Sequence, residues 1–169
     1  MNYSHIIKEL ETNATVFIGL FSGITPKQYL WRQAPEKWCL LEIVCHLVDE
    51  ELEDFRARVE RVLYHPQETL PPFNPVALVK ERKYIEKNYN HTLNVLLEER
   101  AKSVQWLRSL ENPQWENAHL HATRGPMSAK LFLSNWLAHD HLHIRQIIKL
   151  KFDYLKHISG EDLTYAGPW

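Results

Sequence analysis

The segment Phe132–Leu150, FLSNWLAHDHLHIRQIIKL, decides the fold. At about 100° per residue, Phe132, Trp136, His139, His143, Ile147 and Leu150 share one stripe roughly 80° wide. That spacing predicts a helix over about Ser128 to Leu155, with two histidines one turn apart on its inward face. His141 falls on the opposite side, toward solvent. Asp140 is turned by about 100° from His139, which makes it a poor candidate metal ligand. Two desolvated imidazoles need partners, and either a metal ion or a buried hydrogen-bond network would supply them.

Upstream, residues 112–127 read as irregular, with a turn at Gly125-Pro126. They carry His119-x-His121, a loop pair that could bind metal or reach into a pocket, or could simply be surface histidines. A helix precedes them over about Asn90 to Leu110, with Leu93, Leu97, Val104 and Leu107 inward, closed by Asn112-Pro113. Asn74-Pro75 opens a shorter helix over about Val76 to Tyr89, after a loop marked by Pro66, Pro71 and Pro72. A long helix spans about Cys39 to Leu63, with Val48, Leu52, Phe55, Val59 and Val62 as its apolar spine. Arg32 to Lys37 is a loop, and Thr25-Pro26 opens a short helix. The first helix covers about Asn2 to Phe21 and stops at Gly23. No alternating strand pattern of any length is present. The prediction is an all-α four-helix bundle with short accessory helices. It forms a single domain over 1–169, with 156–169 as a C-terminal tail.

A third histidine lies in the long helix, in Trp38-Cys39-Leu40-Leu41-Glu42-Ile43-Val44-Cys45-His46-Leu47. Counted as a regular helix, His46 sits about 180° from Phe55, off the apolar spine. Its face, with Glu50, either lines a pocket at one end of the bundle or faces solvent or a loop. Three protein ligands with open positions is the layout of a catalytic rather than a structural metal site. HExxH is absent, so the zincin pattern does not apply.

The chain has 169 residues, 20 basic and 21 acidic, and a net charge of −1. That balance gives no reason to expect nucleic acid or an anionic membrane as partner. No run reaches the ~18 apolar residues of a membrane span, and no secretory signal is evident. Cys39 and Cys45 would lie ~9 Å apart on one helix, too far for a disulfide, so they read as reduced thiols and the chain as cytoplasmic. Cys45 has apolar neighbours, which raise a thiol's pKa and make it inert.

The patterns Trp38-x7-His46-Leu47 with Asp49, Glu50 and Glu51, and His139-Asp140-x2-His143-Ile144-x-Gln146-Ile147, resemble the two signatures of the DinB-like superfamily, which includes the YfiT group of metal-dependent hydrolases. The resemblance covers residues 5 to 155. It implies a four-helix bundle with a long crossover. It also implies one divalent metal ion, nickel or zinc, held by His46, His139 and His143, and a possible homodimer. At the position that opens the long helix the family commonly has Ser or Thr. Here it is Cys39, a weaker cap that costs ~1 kcal/mol or less.

The functional expectation is a metal-dependent hydrolase that acts on a small molecule through a metal-bound water. An alternative is a transferase that uses a low-molecular-weight thiol in the same open position, and another is a non-catalytic metal-binding interaction protein. Glu50, one turn from His46, could orient a ligand or act as base, or be a solvated charge in an acidic run. Arg145 and Gln146 read as helix-surface or packing residues.

Overall fold

The computed structural model describes residues 3–168. The predicted start of the first helix at Asn2 lies outside them. Four long helical rods run through the molecule. They are α1 (Tyr3–Phe21), a continuous rod made of α3 (Leu40–Asp49), a π-helical turn (Glu50–Phe55) and α4 (Arg56–Tyr64), α6 (Tyr89–Ser109), and α7 (Ala129–Ser159). Short helices α2 (Pro26–Tyr29) and α5 (Pro75–Glu81) and a 3-10 turn (Tyr84–Glu86) lie in the connections. α1 and the α3–α4 rod each pack on α6 and α7. The first and second rods, and likewise α6 and α7, therefore face each other across the bundle diagonals, and long connections carry the chain over. No helix among the described residues is long and apolar enough to cross a membrane.

Local chemistry accounts for the ends. The Asn88 side chain accepts from His91 N–H to start α6, and Ser128 Oγ accepts from Leu131 N–H to start α7. α7 ends at Gly160, whose φ of 68° is the left-handed cap that glycine adopts without strain. The helix thus runs four residues beyond the predicted Leu155, and only a 3-10 turn (Leu163–Ala166) follows. The helix predicted over Val76–Tyr89 is split, because Lys83 adopts φ 49° between α5 and the 3-10 turn.

The stretch read as irregular is in part a β-hairpin. β1 (Ala118–His121) pairs antiparallel with β2 (Gly125–Ser128), Ala118 opposite Ser128 and His121 opposite Gly125. Four-residue strands are too short to show an alternating pattern, and Pro126 masks one of them. The hairpin delivers the chain directly into α7, where Ala129 N–H donates to Asn117 C=O at 2.9 Å.

Two apolar clusters fill the bundle. One gathers Phe17, Phe21, Leu41, Val44, Leu96 and Ile147, and the other Ile6, Leu10, Val59, Val104, Phe132 and Leu133. Between them every rod contributes buried polar residues: Asn13 from α1, His46, Glu50 and Glu51 from the second rod, Arg100 and Ser103 from α6, Asp140 and His143 from α7. The core is interrupted at mid-height by a polar layer, which is costly unless its members are partnered.

Candidate metal centre

The π-helical turn decides what the second rod presents to this layer. A π turn accommodates one extra residue in an α-helix and rotates everything after it relative to everything before. A regular helix would put His46 about 180° from Phe55, and removing one residue from the count brings them to about 80°. His46 and Phe55 are accordingly both buried, at 4% and 7% exposure. Of the predicted spine, Val48 and Leu52 are only half-buried, while Asp49, Glu50 and Glu51 turn inward. The solvent-facing alternative for His46 is therefore excluded, as is the reading of Glu50 as a solvated charge.

His46 meets His139 and His143 through their Nε2 atoms. The separations are 3.3 Å (His46–His139), 3.1 Å (His46–His143) and 3.1 Å (His139–His143). Two nitrogens each ~2.1 Å from one ion stand about 3.0 Å apart at a right angle and about 3.4 Å apart at the tetrahedral angle. All three observed separations fall between those limits, so the triad fits one cation on geometry alone. The three histidines form the one such group of potential metal-ligating side chains found among the described residues.

The electrostatics agree. Burial pushes the His46 pKa down to about 3, assisted by His143, and the His139 pKa down to about 2, assisted by His143 and His46. Burial also lowers His143, against the opposing influence of Gln146 and Asp140. All three are neutral imidazoles with lone pairs to offer, the state metal binding needs. The buried Nδ1 atoms of His46 and His143 have no hydrogen-bond partner within the protein. The imidazoles therefore do not satisfy one another as a closed network.

Glu50 borders the same centre. Its Oε1 lies 3.6 Å from His46 Nε2 and 4.0 Å from His139 Nε2. Burial, reinforced by Asp54, raises its pKa to about 8. Trp38 packs its ring against His46 at 4.9 Å between centroids, and Phe55 packs against His139 at 5.1 Å. A cavity of about 710 Å³ borders this point, lined by His143, Trp38, Arg145 and Gln146 among others.

His119 and His121 are placed elsewhere. His119 lies in β1 and its Nδ1 bonds Pro66 C=O at 3.2 Å, while His121 Nδ1 accepts from Thr123 and Arg124 N–H in the hairpin turn. Neither joins the histidine triad, and both serve the hairpin. Cys45 is buried, and burial pushes its thiol up to about 12, so it is inert as expected. His141 is exposed, also as expected.

Sequence reasoning missed a second buried cluster. Arg100 donates from Nε to both Glu51 oxygens at 3.0 Å. It also donates from Nη1 to Asp140 at 2.6 Å and to Leu10 C=O at 3.0 Å, and from Nη2 to Asp140 at 2.8 Å. Asn13 donates to Asp140 and Trp136 Nε1–H to Glu51, each at 3.0 Å. Burial works against the charge of Arg100, but Glu51 and Asp140 outweigh it and hold the guanidinium firmly protonated. The signal was available: Arg100 falls on the stripe Leu93, Leu97, Val104, Leu107, where a cation has no business unless it is paired.

The comparisons with known proteins agree with this architecture. No curated protein matches the chain. Among solved structures, YfiT from Bacillus subtilis superposes with a TM-score of 0.78 at 19% identity, covering 95% of this chain and 89% of that one. It is described as "a probable metal-dependent hydrolase with an unusual four-helix bundle topology". At that identity the likeness shows the fold, which is the four-helix bundle predicted. The model of the DinB superfamily matches residues 9–147, a span that includes all three histidines. By that match over most of its length, the chain belongs to the DinB superfamily.

Proposed function

We propose that this protein is a metal-dependent hydrolase of a small molecule, with one divalent ion, nickel or zinc, held by His46, His139 and His143. The observation that carries this reading is the convergence of three neutral imidazole Nε2 atoms at 3.1–3.3 Å. A divalent ion there would act as a Lewis acid and bring the pKa of a water it holds from ~15.7 toward ~7. Glu50 is the proton acceptor in this reading, through Oε1, the atom nearest the triad. A cation beside it would draw its pKa down from about 8 and ready it for that role. Trp38 and Phe55 cover the rings of His46 and His139 and limit water around the reacting groups.

Metal analysis of the purified protein beside His46→Ala and His139→Ala tests the ligand set. One ion per chain, lost in both variants, is the expected result. Full occupancy in His46→Ala would show the third ligand to be misassigned. Glu50→Gln should retain metal yet hydrolyse model esters at least ~10²-fold more slowly. Ester turnover that survives metal removal would overturn the mechanism, and turnover that requires an added low-molecular-weight thiol would assign transfer to the thiol instead.

A further inference from the structure

The cavity beside the triad has a chemical polarity that the proposed hydrolase leaves unused. Six residues of α7 contribute to its wall. At about 100° per residue, His143 and Leu150 lie within ~20° of each other, Gln146 is ~60° round the helix, Leu142 and Lys149 ~100–120°, and Arg145 ~160°. His143 and Leu150 are buried, Lys149 is half-buried, and Gln146 and Arg145 are exposed. The wall therefore runs round α7 from buried His143 to exposed Arg145. Lys37, exposed on the loop before α3, lines the cavity as well.

None of the described residues lining the cavity is acidic. The nearby carboxylate of Asp153 is already engaged by Lys149 and by Gln33. Lys37 and Arg145 have no carboxylate partner among the described residues, in a protein where Arg32, Arg56, Arg58, Arg61, Arg82, Arg100 and Arg108 each have one. Arg145 is thus set apart from most of the arginines, and it shares one acid-free cavity lining with the unpaired Lys37. At about 710 Å³ that cavity is of the size that takes a small organic molecule.

We infer that the cavity selects an organic anion, with a carboxylate or phosphate seated between Lys37 and Arg145 and the rest of the molecule directed down the α7 flank to His143. Arg145 and Lys37 act as specificity residues rather than as members of the reacting centre. The inference rests on the metal reading only for the end of the ligand that would meet the ion; the anionic end is recognised without it.

The test uses glutarate and 1,5-pentanediol, equal in chain length and different in charge, titrated into metal-free protein and followed by calorimetry or ligand-observed NMR. Glutarate should bind at least tenfold more tightly than the diol, with an affinity that falls as salt is added. Lys37→Ala/Arg145→Ala should reduce glutarate binding at least fivefold and leave the diol unchanged, while Arg145→Lys should restore part of the loss. Both residues are exposed, so circular dichroism should show the variants folded. Equal binding of the two probes, or a glutarate preference that persists in the double variant, would overturn the inference. Metal content measured on the same preparations separates the two readings. A protein that takes up no ion but keeps the glutarate preference refutes the metal centre alone, and one that takes up its ion without the preference refutes the anion pocket alone.

Discussion

His139 and Asp140 are adjacent on α7, yet they enter two buried clusters of opposite character. Asp140 joins Arg100, Glu51, Asn13 and Trp136, where every guanidinium nitrogen has an acceptor and the carboxylates take the remaining donors. His139 joins His46 and His143, where three neutral rings turn lone pairs toward one point and two buried Nδ1 atoms are unpartnered. The first cluster is complete within the chain. The second is not satisfied within the chain, and its three Nε2 atoms stand close enough to share one cation. A buried polar cluster that satisfies itself is a structural device, and one that does not marks a binding centre.

The contrast can be broken first at Arg100. Arg100→Ala leaves Glu51 and Asp140 buried without their cation and should lower stability by about 3–5 kcal/mol in denaturant unfolding. A loss under ~1 kcal/mol would mean that the network is not what holds the four rods at mid-height.

The histidine side should respond in the opposite way. His143→Leu should lower metal affinity at least ~10²-fold, while the metal-free variant should be as stable as the metal-free parent or slightly more so, because it removes an unsatisfied buried group. A metal-free His143→Leu protein several kcal/mol less stable than its parent would place the triad with the self-satisfied clusters.

Acid should sharpen the comparison further. The folded-state pKa values of His46 and His139, about 3 and about 2, lie below their unfolded value of 6.5. Below pH 6.5 the unfolded chain binds protons that the native metal-free protein refuses, so stability is full above that pH and falls as pH drops toward 3. Between pH 7 and 5.5 these two histidines should cost the metal-free protein about 1–3 kcal/mol relative to His46→Leu/His139→Leu, the opposing protonation of Glu50 and the effect of His143 being common to both. The same acid sensitivity in parent and variant would show that other groups dominate.

The histidine face of α7 was legible because it obeys the simple 3.6-residue period, with its histidines standing among large apolar residues. His46 was legible as a residue and not as a position. A regular count put it on the wrong side of its helix, and only the π turn at Glu50–Phe55 brings it into the bundle beside Phe55. The same turn moved Glu51 inward to meet Arg100, which is why the buried ion network escaped notice: its members come from all four rods, and no short motif joins them. The hairpin at 118–128 was hidden by its brevity.

The sequence alone determined the helical content, the four rods and the pairing of His139 with His143, because these follow from periodicity and from caps acting over a few residues. The tertiary structure alone decided which distant groups meet. It joined His46 to the pair on α7, closed Arg100 between Glu51 and Asp140, and set Lys37 and Arg145 in the lining of one cavity. Those outcomes depend on helix phase and on the packing of rods far apart in the chain, and a single inserted residue in one turn is enough to change them.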